Sequence, residues 1–278
     1  KRLRSGGRRG IFWYRVAPQP RPSTFQLQTM PPSTPWPYPR IIAHRGGGTL
    51  APENTLAGMR KAKEKGYAGV EFDVMLAADA TPILMHDQTL ERTTSGSGAI
   101  AETAYRDMLT LDAGGWFSPE HAGEPVPSFE RAGRLCIELG LWADIEIKPA
   151  KGFEAETGRA AALLARELWR GAPVQPLLSS FQPMALAAAR EAAAELPRGA
   201  LTRSIPPDWE SWMQKLGCVS LHCDYRMLLP QQVSAVRDAG YWLLCWTVND
   251  PEIVRVLFDW GVDAIVTDRL DLIPPDFT

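Results

Sequence analysis

Cysteine is scarce in this chain of 278 residues, and long apolar runs are missing. The four cysteines show no C-x-x-C spacing, which argues against a fold held together by disulfides or zinc. We expect them to be buried thiols in a reducing compartment. Because no apolar run approaches the length of a membrane span, we also expect no stable membrane insertion and a cytoplasmic location.

The first 40 residues contain no acidic side chain but hold eight of the 30 lysines and arginines. Residues 41–278 therefore carry 22 basic and 32 acidic side chains, a formal charge of −10, and a body this acidic is not a nucleic-acid binder by bulk charge. Residues 1–40 are rich in Pro, Arg and Gly and lack periodicity, so we predict an extended or disordered extension. Met30 is a candidate natural start, which would leave residues 1–29 outside the natural protein.

Short apolar strands alternate with helical segments from residue 41 onward. The predicted strands are 41–43, 70–74, 143–147, 177–179, 200–201, 219–222, 242–246 and 264–266. The predicted helices between them include 153–170, 183–195, 207–216, 230–239 and 251–260. Eight strand–helix units over the 238 residues 41–278 match the usual size of an α/β TIM (β/α)8 barrel, whose active site lies where the strands end. A doubly wound open sheet is the alternative, because one sequence does not reveal strand order.

His44 and Arg45 stand at the end of the first predicted strand, directly before three consecutive glycines. Glycines let backbone N–H groups approach an anion closely, and a helix beginning after Thr55 would add its N-terminal end. The glycine run alone fits an ordinary turn. The functional interpretation therefore depends on the residues that meet His44 and Arg45 in space.

Carboxylates alternate along two of the predicted strands. Glu71 and Asp73 are two residues apart and therefore share one strand face, and the same spacing puts Asp144, Glu146 and Lys148 on one face of another strand. Close carboxylates repel each other unless a proton, a cationic side chain or a metal ion intervenes, and their oxygens suit Mg²⁺ or Ca²⁺. A solvated face of an edge strand is the alternative. Lys148 is either the salt-bridge partner of these acids or a phosphate contact.

A second imidazole, that of His86, follows the strand that carries Glu71 and Asp73 after a short turn. The chain can therefore fold back and bring His86 beside these carboxylates. A lone histidine after an apolar run is more often structural than catalytic. A pair formed with His44 across a metal favours the opposite interpretation, because phosphodiester cleavage needs a base for the attacking oxygen and an acid for the departing one.

In their order along the chain, these motifs resemble the glycerophosphodiester phosphodiesterases, particularly the short bacterial cytosolic type. The resemblance extends from residue 41 to the C-terminus. The matching motifs are His44-Arg45-Gly46, Pro52-Glu53-Asn54-Thr55, Glu71-Phe72-Asp73, His86-Asp87, Glu146-Ile147-Lys148-Pro149, Ser179-Ser180-Phe181, Trp246-Thr247-Val248-Asn249 and Thr267-Asp268.

The resemblance implies hydrolysis of a small-molecule glycerophosphodiester to sn-glycerol 3-phosphate and an alcohol. It assigns the acid and the base, in an order left open, to His44 and His86. One divalent cation, Mg²⁺ or Ca²⁺, is implied as the cofactor, with the ligands Glu71, Asp73 and Glu146. Phosphate contacts are implied for Arg45 and Lys148, and pocket walls for Phe181 and Trp246. The expected oligomeric state is a monomer or a homodimer.

Residues 88–127, after the second predicted strand, form a connection too long for a simple loop. Such insertions in compact domains are usually functional or disordered. We predict a small cap over the cleft, in which Trp116 and Phe117 exclude water or contact the alcohol group. A cap that only covers the barrel rim is the alternative.

Three other functions fit parts of the pattern. A lysophospholipase D-like phosphodiesterase would need a broad apolar entry to its pocket. An enolase-like metal barrel would use a lysine base to abstract a carbon-bound proton and would not need the paired histidines. A barrel that binds phosphodiesters without cleaving them is difficult to reconcile with both histidines.

Overall fold

The computed structural model describes residues 35–277, and within them nine strands form one sheet. The strands are β1 (Ile41–Ala43), β2 (Gly69–Leu76), β3 (Pro82–Leu84), β4 (Trp142–Ile147), β5 (Leu177–Ser180), β6 (Arg198–Thr202), β7 (Ser220–Asp224), β8 (Trp242–Trp246) and β9 (Ala264–Thr267). All except β3 are parallel, in the order β1-β2-β4-β5-β6-β7-β8-β9, and β9 pairs with β1 again. The sheet therefore closes, which confirms the predicted TIM barrel, and the open-sheet alternative is wrong.

Eight α-helices lie within the described residues, most of them on the outside of the barrel. They are α1 (Leu56–Glu64), α2 (Tyr105–Met108), α3 (Phe129–Leu139), α4 (Glu154–Leu168), α5 (Pro183–Ala192), α6 (Trp209–Leu216), α7 (Pro230–Asp238) and α8 (Pro251–Trp260). Short 3-10 helices lie at Gly48–Leu50, Ile100–Glu102, Pro119–His121 and Tyr225–Met227. The main apolar core lies between the strands and these helices, because each long helix turns an apolar stripe inward, as Met59 and Ala62 do on α1.

Each of the eight predicted strands overlaps one barrel strand. The strand predicted at 200–201 extends over the whole of β6, which begins with a buried arginine. The Arg198 guanidinium donates to the backbone carbonyls of Leu196 at 2.6 Å and Gly217 at 3.0 Å, so its charge is satisfied inside the protein. An arginine followed by a glycine is untypical of a buried strand, and this explains the short prediction.

The strand β3 is not predicted from the sequence. It has three residues, begins with a proline and pairs antiparallel with the end of β2 through Leu76 and Pro82. Because the parallel partner β1 reaches β2 only at Ala43 and Val70, the end of β2 offers a free edge that β3 occupies. This hairpin leads the chain directly to His86.

The connection between β3 and α3, residues 85–128, contains α2 and two of the 3-10 helices. It has an apolar core of its own, formed with side chains from β2 and β3: Met75, Ala77, Ile83, Met85, Leu90, Ile100, Met108, Ala113 and Val126. A packed core of this size gives the segment a defined position beside the mouth of the barrel.

Trp36 and Tyr38 close the end of the barrel where the parallel strands begin. Tyr38 stacks on Trp142 with 4.5 Å between ring centroids, and Trp36 meets Trp242 edge to face at 5.4 Å. Both aromatic residues belong to the predicted extension 1–40. The rest of that extension, residues 1–34 with the candidate start Met30, lies outside the described residues.

The four cysteines are free and buried, as predicted: Cys136, Cys218, Cys223 and Cys245. Within residues 35–277, no helix combines the length and the apolar character needed to cross a membrane.

Candidate active site

Three carboxylates converge where β2 and β4 approach the open end of the barrel. The two strands are parallel neighbours, and their register places Asp73 beside Glu146. One oxygen each from Glu71, Asp73 and Glu146 lies within 4.8 Å of the other two. The structure thus brings together the three side chains that the sequence predicts as metal ligands.

The Glu71 side chain is buried, and only one of its two carboxylate oxygens has a hydrogen-bond partner among the described residues. Its Oε2 accepts a hydrogen bond from the backbone N–H of Arg45 at 2.9 Å, whereas Oε1 has no hydrogen-bond partner among the described residues. Burial, followed by the charges of Asp73 and Glu146, raises the pKa of Glu71 well above its usual value. A positive charge beside Oε1 would remove this cost.

The pKa of Asp73 is shifted in the opposite direction from that of Glu71. The Asn54 side-chain amide donates to its Oδ2 at 2.8 Å, and Lys148 Nζ lies 3.2 Å from its Oδ1. Burial alone would favour the neutral acid, but the positive charges of Lys148 and Arg45 outweigh it and lower the pKa of Asp73. The Asp73 carboxylate is therefore ionised and held in a fixed orientation.

Lys148 lies between two of the three acids. Its Nζ is 3.2 Å from Asp73 Oδ1 and 3.3 Å from Glu146 Oε1. Burial and the charge of Asp73 raise the pKa of Glu146 to about 7, although Lys148 opposes this shift. Lys148 is thus the salt-bridge partner considered in the sequence analysis, and it also borders the cavity where a phosphate would lie.

The carboxylate of Asp268, which directly follows β9, orients the imidazole of His44. Its Nδ1 lies 2.5 Å from Asp268 Oδ1, and its Nε2 is 3.8 Å from Glu71 Oε2. The Asn249 amide donates to Asp268 Oδ2 at 2.9 Å and holds that carboxylate in place. When Nδ1 donates to Asp268, Nε2 is the nitrogen left to exchange a proton at the acid cluster.

His86 has a similar partner on the other side of the cleft. Its Nδ1 lies 2.6 Å from Asp87 Oδ1. Burial is the largest effect and lowers the pKa of His86, although the nearby Asp73 opposes it. The neutral imidazole is therefore favoured near neutral pH.

A chain of ion pairs connects His86 to Arg45. Arg92 donates to Asp87 Oδ2 at 2.5 Å and to both Glu53 oxygens, at 2.7 and 2.8 Å. Glu53 Oε1 in turn accepts from Arg45 Nη1 at 2.8 Å. Arg92 belongs to the residues 88–127 predicted as a cap, so this segment fixes both an imidazole and a guanidinium of the site.

The glycine turn after Arg45 has a role different from the predicted anion cradle. The backbone N–H groups of Gly46, Gly47 and Gly48 donate to Glu71, Arg45 and His44 carbonyls at 3.0, 3.2 and 3.0 Å, and so are already engaged. A Cβ on Gly48 would lie 2.2 Å from the Asp268 carbonyl oxygen. Gly48 therefore allows close packing against Asp268, whereas Gly46 and Gly47 pack closely against Gly58 at the start of α1.

A cavity of about 510 Å³ opens above the acid cluster at the C-terminal ends of the strands. All four side chains predicted to bind substrate border it: Arg45, Lys148, Phe181 and Trp246. The Phe181 and Trp246 rings meet edge to face at 5.5 Å and form one wall. A second cavity of about 390 Å³ lies beside His44 and is bordered by Trp116 and Phe117.

A model of the glycerophosphoryl diester phosphodiesterase family matches residues 44–272. The chain belongs to this family. The match includes every candidate site residue from His44 to Trp246, and it makes the chain a phosphoric diester hydrolase.

Individual members of the family are similar to the chain over nearly all of their length. The glycerophosphodiester phosphodiesterase of Caldanaerobacter subterraneus subsp. tengcongensis is 31% identical over 229 residues, which are 82% of this chain and 93% of that protein. An Oleispira antarctica phosphodiesterase, solved in complex with the product sn-glycerol-3-phosphate, is 36% identical with a TM-score of 0.82 and covers 86% of this chain and 95% of its own. The glycerophosphodiester phosphodiesterase from Agrobacterium tumefaciens is 28% identical with a TM-score of 0.71, over 84% and 98% of the two chains.

Two further groups of polar side chains lie at the phosphodiesterase site. One is buried under the acid cluster, where Ser179 Oγ donates to Asp144 at 2.7 Å and His222 Nδ1 lies 3.5 Å from the same carboxylate. Burial raises the pKa of Asp144 to about 7 and lowers that of His222 to about 3, so a neutral polar pair is favoured. His222 is thus a buried histidine with polar partners, although it also borders the cavity.

The other group lies on the far rim of the cavity, after β6 and β7: Arg203, Asp224 and Arg226. Charged residues directly after a buried strand are the signal that would have identified them. The same signal predicts His44 and Arg45 directly after β1.

Proposed function

We propose that this enzyme hydrolyses glycerophosphodiesters to sn-glycerol 3-phosphate and an alcohol, with one divalent cation as cofactor and with His44 and His86 as acid and base. The observation that carries the proposal is the cluster of Glu71, Asp73 and Glu146, whose oxygens lie within 4.8 Å of each other and of which Glu71 and Glu146 line the cavity. The related Oleispira antarctica phosphodiesterase holds the product sn-glycerol-3-phosphate, which supports the same product here.

The donor set fits a hard divalent cation. It offers carboxylate oxygens only, one of which, Glu71 Oε1, is buried without a partner among the described residues. When bound, Mg²⁺ or Ca²⁺ supplies a positive charge for a nonbridging phosphoryl oxygen and lowers the pKa of the attacking hydroxyl or water. Lys148 Nζ, which lies 3.2 Å from Asp73, has room to turn from the acids toward the phosphate because its side chain is 26% exposed.

Arg45 is placed to bind the phosphate from the other side. Its Nη1 is engaged by Glu53, while its Nε is buried without a hydrogen bond among the described residues and is 3.7 Å from Asp73 Oδ2. A guanidinium fixed in this way can donate to an oxygen that gains charge during phosphoryl transfer. We propose that Arg45 and Lys148 together compensate this charge, and that Phe181 and Trp246 form the wall beside the substrate.

The two histidines have matched surroundings, since each Nδ1 faces an aspartate and each Nε2 is left for proton exchange. Asp268 orients His44 and Asp87 orients His86, at 2.5 and 2.6 Å. One imidazole takes a proton from the attacking oxygen, and the other gives a proton to the departing alkoxide. A glycerol hydroxyl as the attacking group would form a cyclic phosphate, which water then opens.

The assignment is tested with metal-free enzyme, glycerophosphoglycerol as substrate, and added Mg²⁺ or Ca²⁺. We expect no turnover with a chelator, recovery on addition of one of the two ions, and losses of at least about 100-fold for Glu146→Gln, His44→Ala and His86→Ala. The control is Glu130→Gln, which changes an exposed ion pair on α3. Turnover that persists in the chelator, or that stays within a few-fold of normal in both histidine variants, contradicts the proposal.

The acid and the base can be separated with an aryl diester whose leaving group needs no protonation. The variant that lacks the general acid regains turnover on this substrate, because the departing phenolate is stable, whereas the variant that lacks the base does not. Equal losses for His44→Ala and His86→Ala on both substrates would show that neither histidine acts as the acid.

Family membership decides against two of the other functions. An enolase-like barrel and a binding protein without catalysis both disagree with a phosphodiesterase family match over residues 44–272. A lysophospholipase D-like activity is tested by comparing lysophosphatidylcholine with glycerophosphocholine. We also propose the cytoplasmic location predicted from the sequence, for which the four free, buried thiols are the support.

A further inference from the structure

The cavity extends from the acid cluster to a second charged rim on the opposite side of the barrel. In the circular strand order, β6 lies four strands from β1 in either direction. Arg45 follows β1 and Arg203 follows β6, and both border the same cavity. A diester whose phosphate lies at Arg45 therefore shares one cavity with the side chain of Arg203.

Arg203 carries a positive charge that forms no salt bridge with a carboxylate of the described residues. Its neighbour Arg226 binds Asp224 through Nε at 2.9 Å and Nη2 at 2.6 Å, so the carboxylate is neutralised by that arginine. Arg203 donates no hydrogen bond within the part of the chain that the structure describes, and its effect is a long-range one that helps to lower the pKa of Asp224, after the hydrogen bonds of Arg226. The rim therefore carries a net positive charge at an exposed guanidinium.

We propose, on the basis of the function proposed above, that Arg203 determines specificity by binding an anionic group on the leaving alcohol of the diester. The glycerol half of every substrate carries only hydroxyls, so only the variable alcohol can bring a negative charge to this rim. A guanidinium binds a carboxylate or a phosphate through paired hydrogen bonds.

A cationic leaving group is the opposing case. The edge-to-face pair of Phe181 and Trp246 borders the same cavity and could attract a quaternary ammonium such as choline by itself. The Asp224 carboxylate of this rim is already bound by Arg226, and Arg203 repels a cation. The enzyme therefore prefers anionic over cationic alcohols.

The test compares three glycerophosphodiesters whose alcohols differ in charge: glycolate, glycerol and choline. We expect kcat/KM of the unmodified enzyme, measured with saturating metal at low salt, to be at least about tenfold higher for the glycolate diester than for the choline diester. Arg203→Gln lowers the ratio of glycolate to glycerol kcat/KM about tenfold, mainly through KM, and Arg203→Lys restores part of it. Added salt reduces the preference of the unmodified enzyme.

The matched control is Arg159→Gln, which changes an exposed arginine on α4 that is paired with Glu191 at 3.6 Å on the outer surface. It leaves all three ratios unchanged. Equal kcat/KM for the three diesters in the unmodified enzyme, or equal losses for all three in Arg203→Gln, overturns the inference while the proposed function stands. No hydrolysis of any of the three diesters overturns both.

Discussion

We expect the acid cluster to make the folded protein less stable without metal, and Glu71→Gln tests this directly. Glutamine has nearly the size of glutamate and can still accept the Arg45 N–H that Glu71 accepts at 2.9 Å. It removes one of three carboxylates whose oxygens lie within 4.8 Å, and a single such repulsion amounts to about 3 kcal/mol at an effective dielectric constant of about 20. We therefore expect Glu71→Gln to be more stable than the unmodified enzyme in a chelator while it loses activity.

The stability difference between Glu71→Gln and the unmodified enzyme should change with pH in one direction. The folded-state pKa of Glu71 is raised above the usual value of 4.5, first by burial and then by Asp73 and Glu146. A raised carboxyl pKa favours the folded state at low pH, and this contribution is lost as the pH rises above 4.5. The stability advantage of Glu71→Gln should therefore be small at pH 4 and grow toward pH 8.

Thermal unfolding in a chelator and in Mg²⁺ or Ca²⁺, at pH 4, 6 and 8, measures these effects. In the chelator at pH 8, a gain of about 3 kcal/mol corresponds to a midpoint increase of roughly 6 to 12 °C for a domain of this size. Metal should stabilise the unmodified enzyme and the control Glu130→Gln much more than Glu71→Gln. A variant that is less stable than the unmodified enzyme in the chelator, or that is stabilised equally by metal, refutes the reasoning.

Three further substitutions have separable effects. Asp268→Asn should lower kcat at least about 100-fold with little change in metal affinity, because His44 loses the carboxylate that orients it; a KM effect alone would speak against this role. Asp144→Asn should raise the free energy of unfolding by up to about 4 kcal/mol at pH 8 and by almost nothing below pH 4, because burial raises the Asp144 pKa from 3.8 to about 7. Chemical denaturation at both pH values measures this effect, and an equal stability difference at the two pH values would contradict it. Trp36→Ala should cost about 2 kcal/mol of stability by opening the aromatic floor and leave kcat/KM unchanged, so a loss of activity in the folded variant would contradict a purely structural role.

The sequence predicts the barrel well because its signals are local. Most of the parallel strands are short apolar runs, and most of the long helices begin near a proline or a capping residue, as at Pro230 or Asp250. The period of two along Glu71 and Asp73 predicts their common face from the strand alone. The pairing of that face with Glu146 depends on β2 and β4 being neighbours, which the TIM barrel supplies.

What the sequence does not predict depends on long-range contacts. The link from His86 to Arg45 passes through Arg92, whose 39-residue separation from Glu53 gives no local pattern. The role of the glycine turn is likewise misjudged, since only the fold shows that Gly48 packs on the Asp268 carbonyl. Arg203 is separated from the predicted phosphate contacts by half the circumference of the barrel.

The central claim is that one divalent ion, held by Glu71, Asp73 and Glu146, is required for hydrolysis. A titration of metal-free enzyme with Mg²⁺ or Ca²⁺, in which bound ion and diester turnover are measured on the same samples, tests it most directly. We expect turnover to rise in proportion to occupancy and to saturate at one ion per chain. Full turnover before any ion binds, or unchanged ion binding in Glu71→Gln and Glu146→Gln, would contradict the claim.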